Sequence, residues 1–188
     1  MNTSVTTVSE AVGKKGSPGS VGANASASKN AGEATNVGLA AEILFAEQLS
    51  VGDSWTTPLR EISESDVQSF AELTGDHTPL HGNSSSESPY GKPIAHGLLG
   101  LSVLAGLGTS FPHVSTLALV GLENWQFLAP VFFGDLVRGR NEIVTIEPHG
   151  RRAAKVTWLR QLQSEDGRVL QQGHFVTLVA SAKRRKPR

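Results

Sequence analysis

Hydrophobic spacing divides residues 41–182 into a helical half and a strand half. In the first half, apolar residues recur with helical spacing behind the polar residues Ser63 to Asp66, which predicts a capped amphipathic helix ending near Gly75. Residues 97–109 are apolar on every side, and this pattern predicts a helix that is buried all round.

The second half changes to a strand pattern. Four segments rich in β-branched and aromatic residues are predicted strands: 117–128, 136–146, 153–162 and 169–179. Turn signals such as Pro148-His149-Gly150 separate them, and connections this short favour antiparallel neighbours. One further strand is predicted near residues 53–59. This order of elements predicts an α+β fold in which an antiparallel sheet wraps the apolar helix.

Composition sets the two ends of the chain apart from this domain. Residues 1–40 are rich in small and polar residues and contain no aromatic residue, so we expect a disordered low-complexity segment. Its composition also suits an organellar transit peptide, although it lacks Arg. The zero net charge hides an acidic body with nine basic and fifteen acidic residues, followed by the basic tail KRRKPR at 183–188. We interpret the tail as solvated and predict no binding of nucleic acid through it.

Several classes of protein are excluded by what the chain lacks. It has no Cys, which excludes disulfides, thiolate metal sites and a Cys nucleophile. No apolar run has the 18 or more residues that a membrane span requires, and the N-terminus does not resemble a secretory signal. No nucleophile elbow, P-loop or intact dinucleotide fingerprint occurs. We therefore expect a cytoplasmic protein without a membrane partner or a cofactor.

Two short motifs contain the candidate chemistry. Asp76 and His81 share a Pro-containing loop, where a carboxylate and an imidazole could hold one water and transfer protons. The alternative is that Asp76 is a turn residue and His81 a surface side chain. His96-Gly97 begins the apolar helix, so the N–H of Gly97 is a candidate oxyanion donor for a thioester. The alternative is that Gly97 serves helix packing and His96 is a buried structural histidine.

A metal site is the weaker interpretation of these histidines. His77 and His81 are four residues apart, but Pro79 between them argues against the helix that would put them on one face. A site would also need Asp76 or His96, and we predict no metal.

Three segments in order resemble one family. They are Phe70-Ala71-x-Leu73-x-Gly75-Asp76-x-x-Pro79-Leu80-His81, then Tyr90-Gly91-x-Pro93-Ile94-Ala95-His96-Gly97-Leu98, then Phe127-Leu-Ala-Pro130-Val131-x-x-Gly134-Asp135. This arrangement resembles the MaoC-like dehydratases, and within them the (R)-specific enoyl-CoA hydratases. The resemblance covers most of residues 47–180.

The resemblance implies a hot-dog fold, a homodimer, and an acyl-CoA or acyl carrier protein thioester as substrate. It implies that Asp76 and His81 are catalytic and that Ile94, Ala95, His96 and Gly97 bind the substrate, with the Gly97 amide as the oxyanion donor. The implied reaction is reversible hydration of trans-2-enoyl-CoA to (R)-3-hydroxyacyl-CoA. The alternatives are an acyl-CoA thioesterase and a non-catalytic acyl-thioester-binding subunit.

The sequence departs from the family pattern at two positions. Thr78 replaces the usual Asn of the loop and loses the paired donor and acceptor of an amide. Ala105 stands where some members carry a Ser near the catalytic Asp. Because the body is acidic while CoA is anionic, we expect local attraction for its phosphates from Lys92, Arg151, Arg152 or the basic tail.

Overall fold

A computed structural model describes residues 42–82 and 88–182 of the chain. These residues form two α-helices, α1 (Glu64–Thr74) and α2 (Gly97–Leu107), and six strands. The strands are β1 (Ser54–Thr56), β2 (Arg60–Glu61), β3 (Thr116–Phe127), β4 (Leu136–His149), β5 (Ala153–Ser164) and β6 (Val169–Ala180). The predicted low-complexity segment 1–40 and basic tail 183–188 lie outside the described residues and stay predictions.

All six strands belong to one antiparallel sheet, as the short connections predict. The strand order is β1-β4-β5-β6-β3, and β2 pairs with β4 beside β1. The strand predicted near residues 53–59 is the short strand β1, and Pro58, which has no N–H for a ladder, separates it from β2. The α+β class is confirmed.

The sheet curves around α2, and the core lies between them. The inward residues of β5 alternate with outward ones, and Ala154, Val156, Trp158 and Leu162 are buried against the helix side. Gly139 of β4 brings the helix close, because a Cβ there would lie 2.8 Å from Leu104 Cδ1.

The prediction that residues 97–109 form a helix buried all round is wrong for the single chain. The helix ends at Leu107, and its C-cap Gly108 donates its N–H to the Leu104 carbonyl. Leu98 is 58% exposed, and Ser102 on the same stripe is exposed as well. The physical reason is that the sheet covers only the face with Leu99 and Leu104, which leaves the opposite apolar face open.

Helix α1 begins and ends at the predicted residues. The Ser63 side chain accepts the Asp66 N–H, and the Asp66 carboxylate accepts the Ser63 N–H, which completes a capping box. Gly75 ends the helix with φ of 76°, a left-handed conformation that glycine adopts without strain. The candidate loop follows directly. Within residues 42–82 and 88–182, no helix is both long and apolar enough to cross a membrane.

Candidate active site

Asp76 lies in an open loop that begins directly after α1. After Gly75 the chain runs through Thr78 into a single 3-10 turn, Pro79–His81, and Pro79 occupies the first position of this turn, where it needs no N–H. The Asp76 side chain is 47% exposed, so its carboxylate is accessible to water.

Thr78 holds one oxygen of this carboxylate. Its hydroxyl donates to Asp76 Oδ1 at 2.6 Å, and its backbone N–H donates to the same oxygen at 3.2 Å. These two hydrogen bonds, the hydroxyl first, lower the pKa of Asp76 below the ordinary value, and the nearby His96 and His81 lower it further. The carboxylate is therefore ionised at neutral pH, and Oδ2 remains for another donor.

The ring of His81 is oriented by a backbone carbonyl. Its Nδ1 lies 2.8 Å from the Ile94 carbonyl oxygen, which only accepts hydrogen bonds, so Nδ1 carries the proton. In the neutral ring the lone pair is then on Nε2. The ring also stacks on His96, with ring centroids 3.8 Å apart. His81 therefore presents a proton acceptor in a fixed orientation.

His96 is a buried support rather than a wall of a cavity. Its side chain is 3% exposed, and its Nε2 donates to the Asp76 backbone carbonyl at 2.9 Å. The same Nε2 lies 3.9 Å from Asp76 Oδ2, and the ring packs against Phe70 at 5.2 Å. His96 thus connects the start of α2 to the loop that follows α1.

Asp76, His81 and His96 come together as a cluster. One ligand-type atom of each lies within 4.8 Å of the others. His96 Nε2 and His81 Nδ1 are both occupied by carbonyl contacts, and His96 Nδ1 is buried. Asp76 and His81 line one cavity of about 170 Å³, and among the described residues Asp76 Oδ2 and His81 Nε2 have no hydrogen-bond partner. Two such atoms suit one bridging water better than a metal with three or four ligands.

Gly97 supplies the candidate oxyanion donor beside His81. It is the first residue of α2, and among the described residues its N–H has no hydrogen-bond partner. A cavity of about 430 Å³ includes both residues in its lining, with Leu80, Tyr90, Ile94, Ala95, Phe127 and Pro130 among its other walls. Asp76 and His81 also line a smaller cavity of about 170 Å³. His81 thus shares one cavity with Asp76 and another with Gly97.

Sequence reasoning missed Gln171 of β6. This side chain is 2% exposed, and its Nε2 donates to the Gly97 carbonyl at 3.1 Å, which fixes the first turn of α2. It also packs so closely on Gly100 that no larger residue fits there unless Gln171 shifts. The available signal was the alternation along β6, which puts Gln171 on the same face as Phe175 and Val179.

The remaining predicted positions separate in space. Lys92 lies two residues before Ile94, with Nζ 3.9 Å above the Phe132 ring. Arg151 and Arg152 lie in the β4–β5 hairpin, next to Ala153, which pairs with Ala180 at the end of β6. Ala180 is nine strand residues from Gln171, or roughly 30 Å at about 3.3 Å per residue. Within one chain, of these three only Lys92 is near the site.

Ala105 also lies apart from the catalytic cluster within a single chain. It is eight residues along α2 from Gly97, or about 12 Å at 1.5 Å per residue, and it lines a different cavity.

Comparison with known proteins identifies the family of the chain. Residues 47–163 match the family model described as MaoC like domain. The chain is 38% identical over 114 residues to the 3-hydroxybutyryl-CoA dehydratase of Methylorubrum extorquens, covering 59% of this chain and 71% of the relative. It is 31% identical over 104 residues to the (R)-specific enoyl-CoA hydratase of Aeromonas caviae, covering 54% and 75%.

A solved structure supports the fold. The Mycobacterium tuberculosis protein Rv0216, described as a double hotdog fold, superposes with a TM-score of 0.66 at 18% identity, covering 78% of this chain and 47% of that chain. The predicted hot-dog fold is confirmed. The fold, the family match and the relatives together show that the chain belongs to the MaoC-like dehydratase family, whose enzyme class is the hydro-lyases.

Proposed function

We propose that the protein reversibly hydrates a trans-2-enoyl thioester to an (R)-3-hydroxyacyl thioester. One observation carries this proposal: Asp76 and His81 have reactive atoms within 4.8 Å of each other, and His81 shares a cavity with the unpartnered Gly97 N–H. The relatives named as a 3-hydroxybutyryl-CoA dehydratase and an (R)-specific enoyl-CoA hydratase support the reaction and its stereochemistry.

The chemistry follows from the free atoms of the site. A water between Asp76 Oδ2 and His81 Nε2 gives up a proton to this pair while its oxygen bonds to C3 of the enoyl group. The electron pair of the C2–C3 double bond moves toward the thioester oxygen, where the Gly97 N–H and the N-terminal end of α2 stabilise the negative charge. The proton then returns to C2, and dehydration is the reverse sequence.

The cavity beside Gly97 suits an acyl thioester. Its walls are mainly apolar, so they can cover an acyl chain. Lys92 lies in the chain between the lining residues Tyr90 and Ile94 and is the candidate cation for a phosphorylated carrier. The carrier is CoA or acyl carrier protein. A cytoplasmic location and independence from a cofactor stay predictions.

We also propose a homodimer that forms along β3. This strand is an edge of the sheet, and it exposes a row of large apolar side chains: Leu117, Leu119, Val120, Leu122 and Phe127. An exposed apolar edge strand is a template for pairing with another chain, and a second copy would cover it.

The reaction is tested with crotonyl-CoA. Asp76→Asn and His81→Ala should each lower kcat by at least about a hundredfold, the usual contribution of general acid–base catalysis. The measurement is loss of enoyl absorbance, followed by chiral analysis of the 3-hydroxy product.

The matched control is His77→Ala, which removes an exposed imidazole from the same loop and should retain most of the activity. Full activity in either Asp76→Asn or His81→Ala would contradict the assignment. Release of free thiol with the enoyl absorbance unchanged would point instead to thioester hydrolysis.

A further inference from the structure

A second cavity lies under the C-terminal end of α2, away from the catalytic cluster. Its volume is about 380 Å³, which is room for a small molecule rather than a single water. Its walls combine apolar and polar groups: Ala105, Val114, Leu119, Phe175, Thr177 and Arg160.

Arg160 is the unusual member of this lining. It occupies an inward position of β5 between the buried Trp158 and Leu162, and it is only 8% exposed. Burial lowers its pKa to about 10, so the guanidinium still carries a positive charge at neutral pH. The sequence therefore places a cation in the apolar face of the central strand.

This cation has no anionic partner in the described part of the chain. Its guanidinium carbon lies 4.5 Å from the Phe175 ring and 5.7 Å from the Trp158 ring, and no carboxylate or carbonyl binds it there. Its Nε is buried without a hydrogen-bond partner. A buried charge without a counter-ion is costly, so an additional group that compensates it would stabilise the protein.

The surroundings leave space for such a group. Gly108 at the end of α2 permits the approach of the guanidinium, since a Cβ there would overlap Arg160 Nη1. The Thr177 hydroxyl accepts from Trp158 Nε1 at 2.9 Å, so its own proton is available to donate.

We infer that this cavity binds the carboxylate of a ligand with a short apolar body. One guanidinium matches one carboxylate in charge, and its parallel N–H groups match the two carboxylate oxygens in geometry. A dianionic phosphate would need more donors than one Arg and one hydroxyl. The apolar walls fit a hydrocarbon body attached to the carboxylate.

The carboxylate can come from two sources. One is the far end of an acyl chain whose thioester is the substrate, and this source rests on the proposed function. The other is a free carboxylic acid that binds without reacting. Binding of a carboxylate at Arg160 does not require either source in particular.

The site is tested by calorimetric titration of the full-length protein with hexanoate and with the uncharged hexanamide. Hexanoate should bind, and hexanamide should bind at least about tenfold more weakly, because it lacks the charge. Arg160→Met should weaken hexanoate binding at least about tenfold. Arg168→Met removes an exposed arginine from the turn before β6 and should leave the affinity unchanged.

Equal binding of hexanoate and hexanamide, no binding of hexanoate, or wild-type affinity in Arg160→Met would each overturn the inference. If Arg160→Met does not fold, Gly108→Ala provides the same test, because its Cβ displaces the guanidinium while the helical backbone at Gly108 accepts alanine. Binding is measured without turnover, so failure of the proposed reaction does not affect the result.

Kinetics then separate the two sources. Gly108, beside Arg160, lies eleven residues or about 16 Å along α2 from Gly97, which is beyond the reach of a six-carbon chain. An acyl-chain carboxylate therefore predicts a lower KM for a ten-carbon enoyl-CoA with a terminal carboxylate than for its methyl-ended analogue. This preference should disappear in Arg160→Met, and hexanoate should compete with the substrate. A free acid predicts no such preference, and hexanoate should bind equally well in the presence of the thioester.

Discussion

At the scale of the residue, Thr78 compensates for the Asn that it replaces. Its hydroxyl and its backbone N–H both donate to Asp76 Oδ1, so the carboxylate is held in one orientation without an amide side chain. Thr78 lacks the paired donor and acceptor of an amide, but the Asp76 carboxylate does not need them to be held in place. In the proposed reaction Thr78 acts only through Asp76, which makes it a positioning residue.

Removing the hydroxyl should raise the pKa of Asp76. The hydrogen bond stabilises the ionised carboxylate and lowers its pKa in the folded protein, so Thr78→Val should shift the titration of Asp76 to higher pH. The measurement is the pH dependence of the Asp76 carboxyl carbon signal by NMR.

Thr78→Ser retains a hydroxyl at the same position and should titrate like the wild type. Identical titration curves for Thr78→Val and wild type would show that the hydroxyl does not hold the carboxylate.

At the scale of the element, helix α1 positions the catalytic loop through its two ends. The capping box of Ser63 and Asp66 fixes the first turn, and Arg60 Nη2 reaches Asp66 Oδ1 at 2.8 Å from the neighbouring strand β2. The left-handed Gly75 then directs the chain out of the helix toward Asp76. Both ends of α1 thus contribute to the orientation of the loop.

Ser63→Ala should lower the free energy of unfolding by about 1 kcal/mol, the usual effect of losing a side-chain N-cap. Urea denaturation followed by circular dichroism measures this change. Ser69→Ala removes an exposed hydroxyl from the middle of the same helix and should change the stability by less than about 0.5 kcal/mol. Equal stability of the Ser63→Ala and Ser69→Ala variants would contradict the capping role.

The sequence predicted α1 and the long strands because their signals are local: the residues of a capping box, or of an alternating strand, lie within a few positions of each other. Contacts between residues that are far apart in the chain could not be predicted in this way. The contact of Gln171 with Gly97 joins β6 to α2 and depends on strand register. The exposed stripe of α2 was missed because an apolar pattern does not show how much of the helix the sheet covers.

At the scale of the whole molecule, one chain leaves two apolar surfaces open, and these are the candidate surfaces for the proposed association of copies. The edge strand β3 and the stripe of α2 with Leu98 are both exposed in the single chain. Covering exposed apolar area is the main driving force for association. The apolar composition of α2 therefore fits a helix whose second face is covered in an assembly.

Val120→Lys should shift the protein toward monomer, because it places a charge at the middle of the edge that a second copy would cover. Size-exclusion chromatography with light scattering measures the mass of the species in solution. Val51→Lys makes the same change in the exposed turn before β1 and should leave the mass unchanged. A wild-type monomer, or a dimer that Val120→Lys does not weaken, would contradict the proposed interface.

The contact between Phe127 and Gly97 has a consequence for enzymology. Phe127 is the last residue of β3, and its ring carbons come within 3.0–3.1 Å of the position that a Cβ on Gly97 would take. The strand that we propose as the dimer edge thus ends against the glycine whose N–H we propose as the oxyanion donor. We therefore expect turnover per chain to be constant at high enzyme concentration and to fall on dilution below the dissociation constant of the proposed dimer.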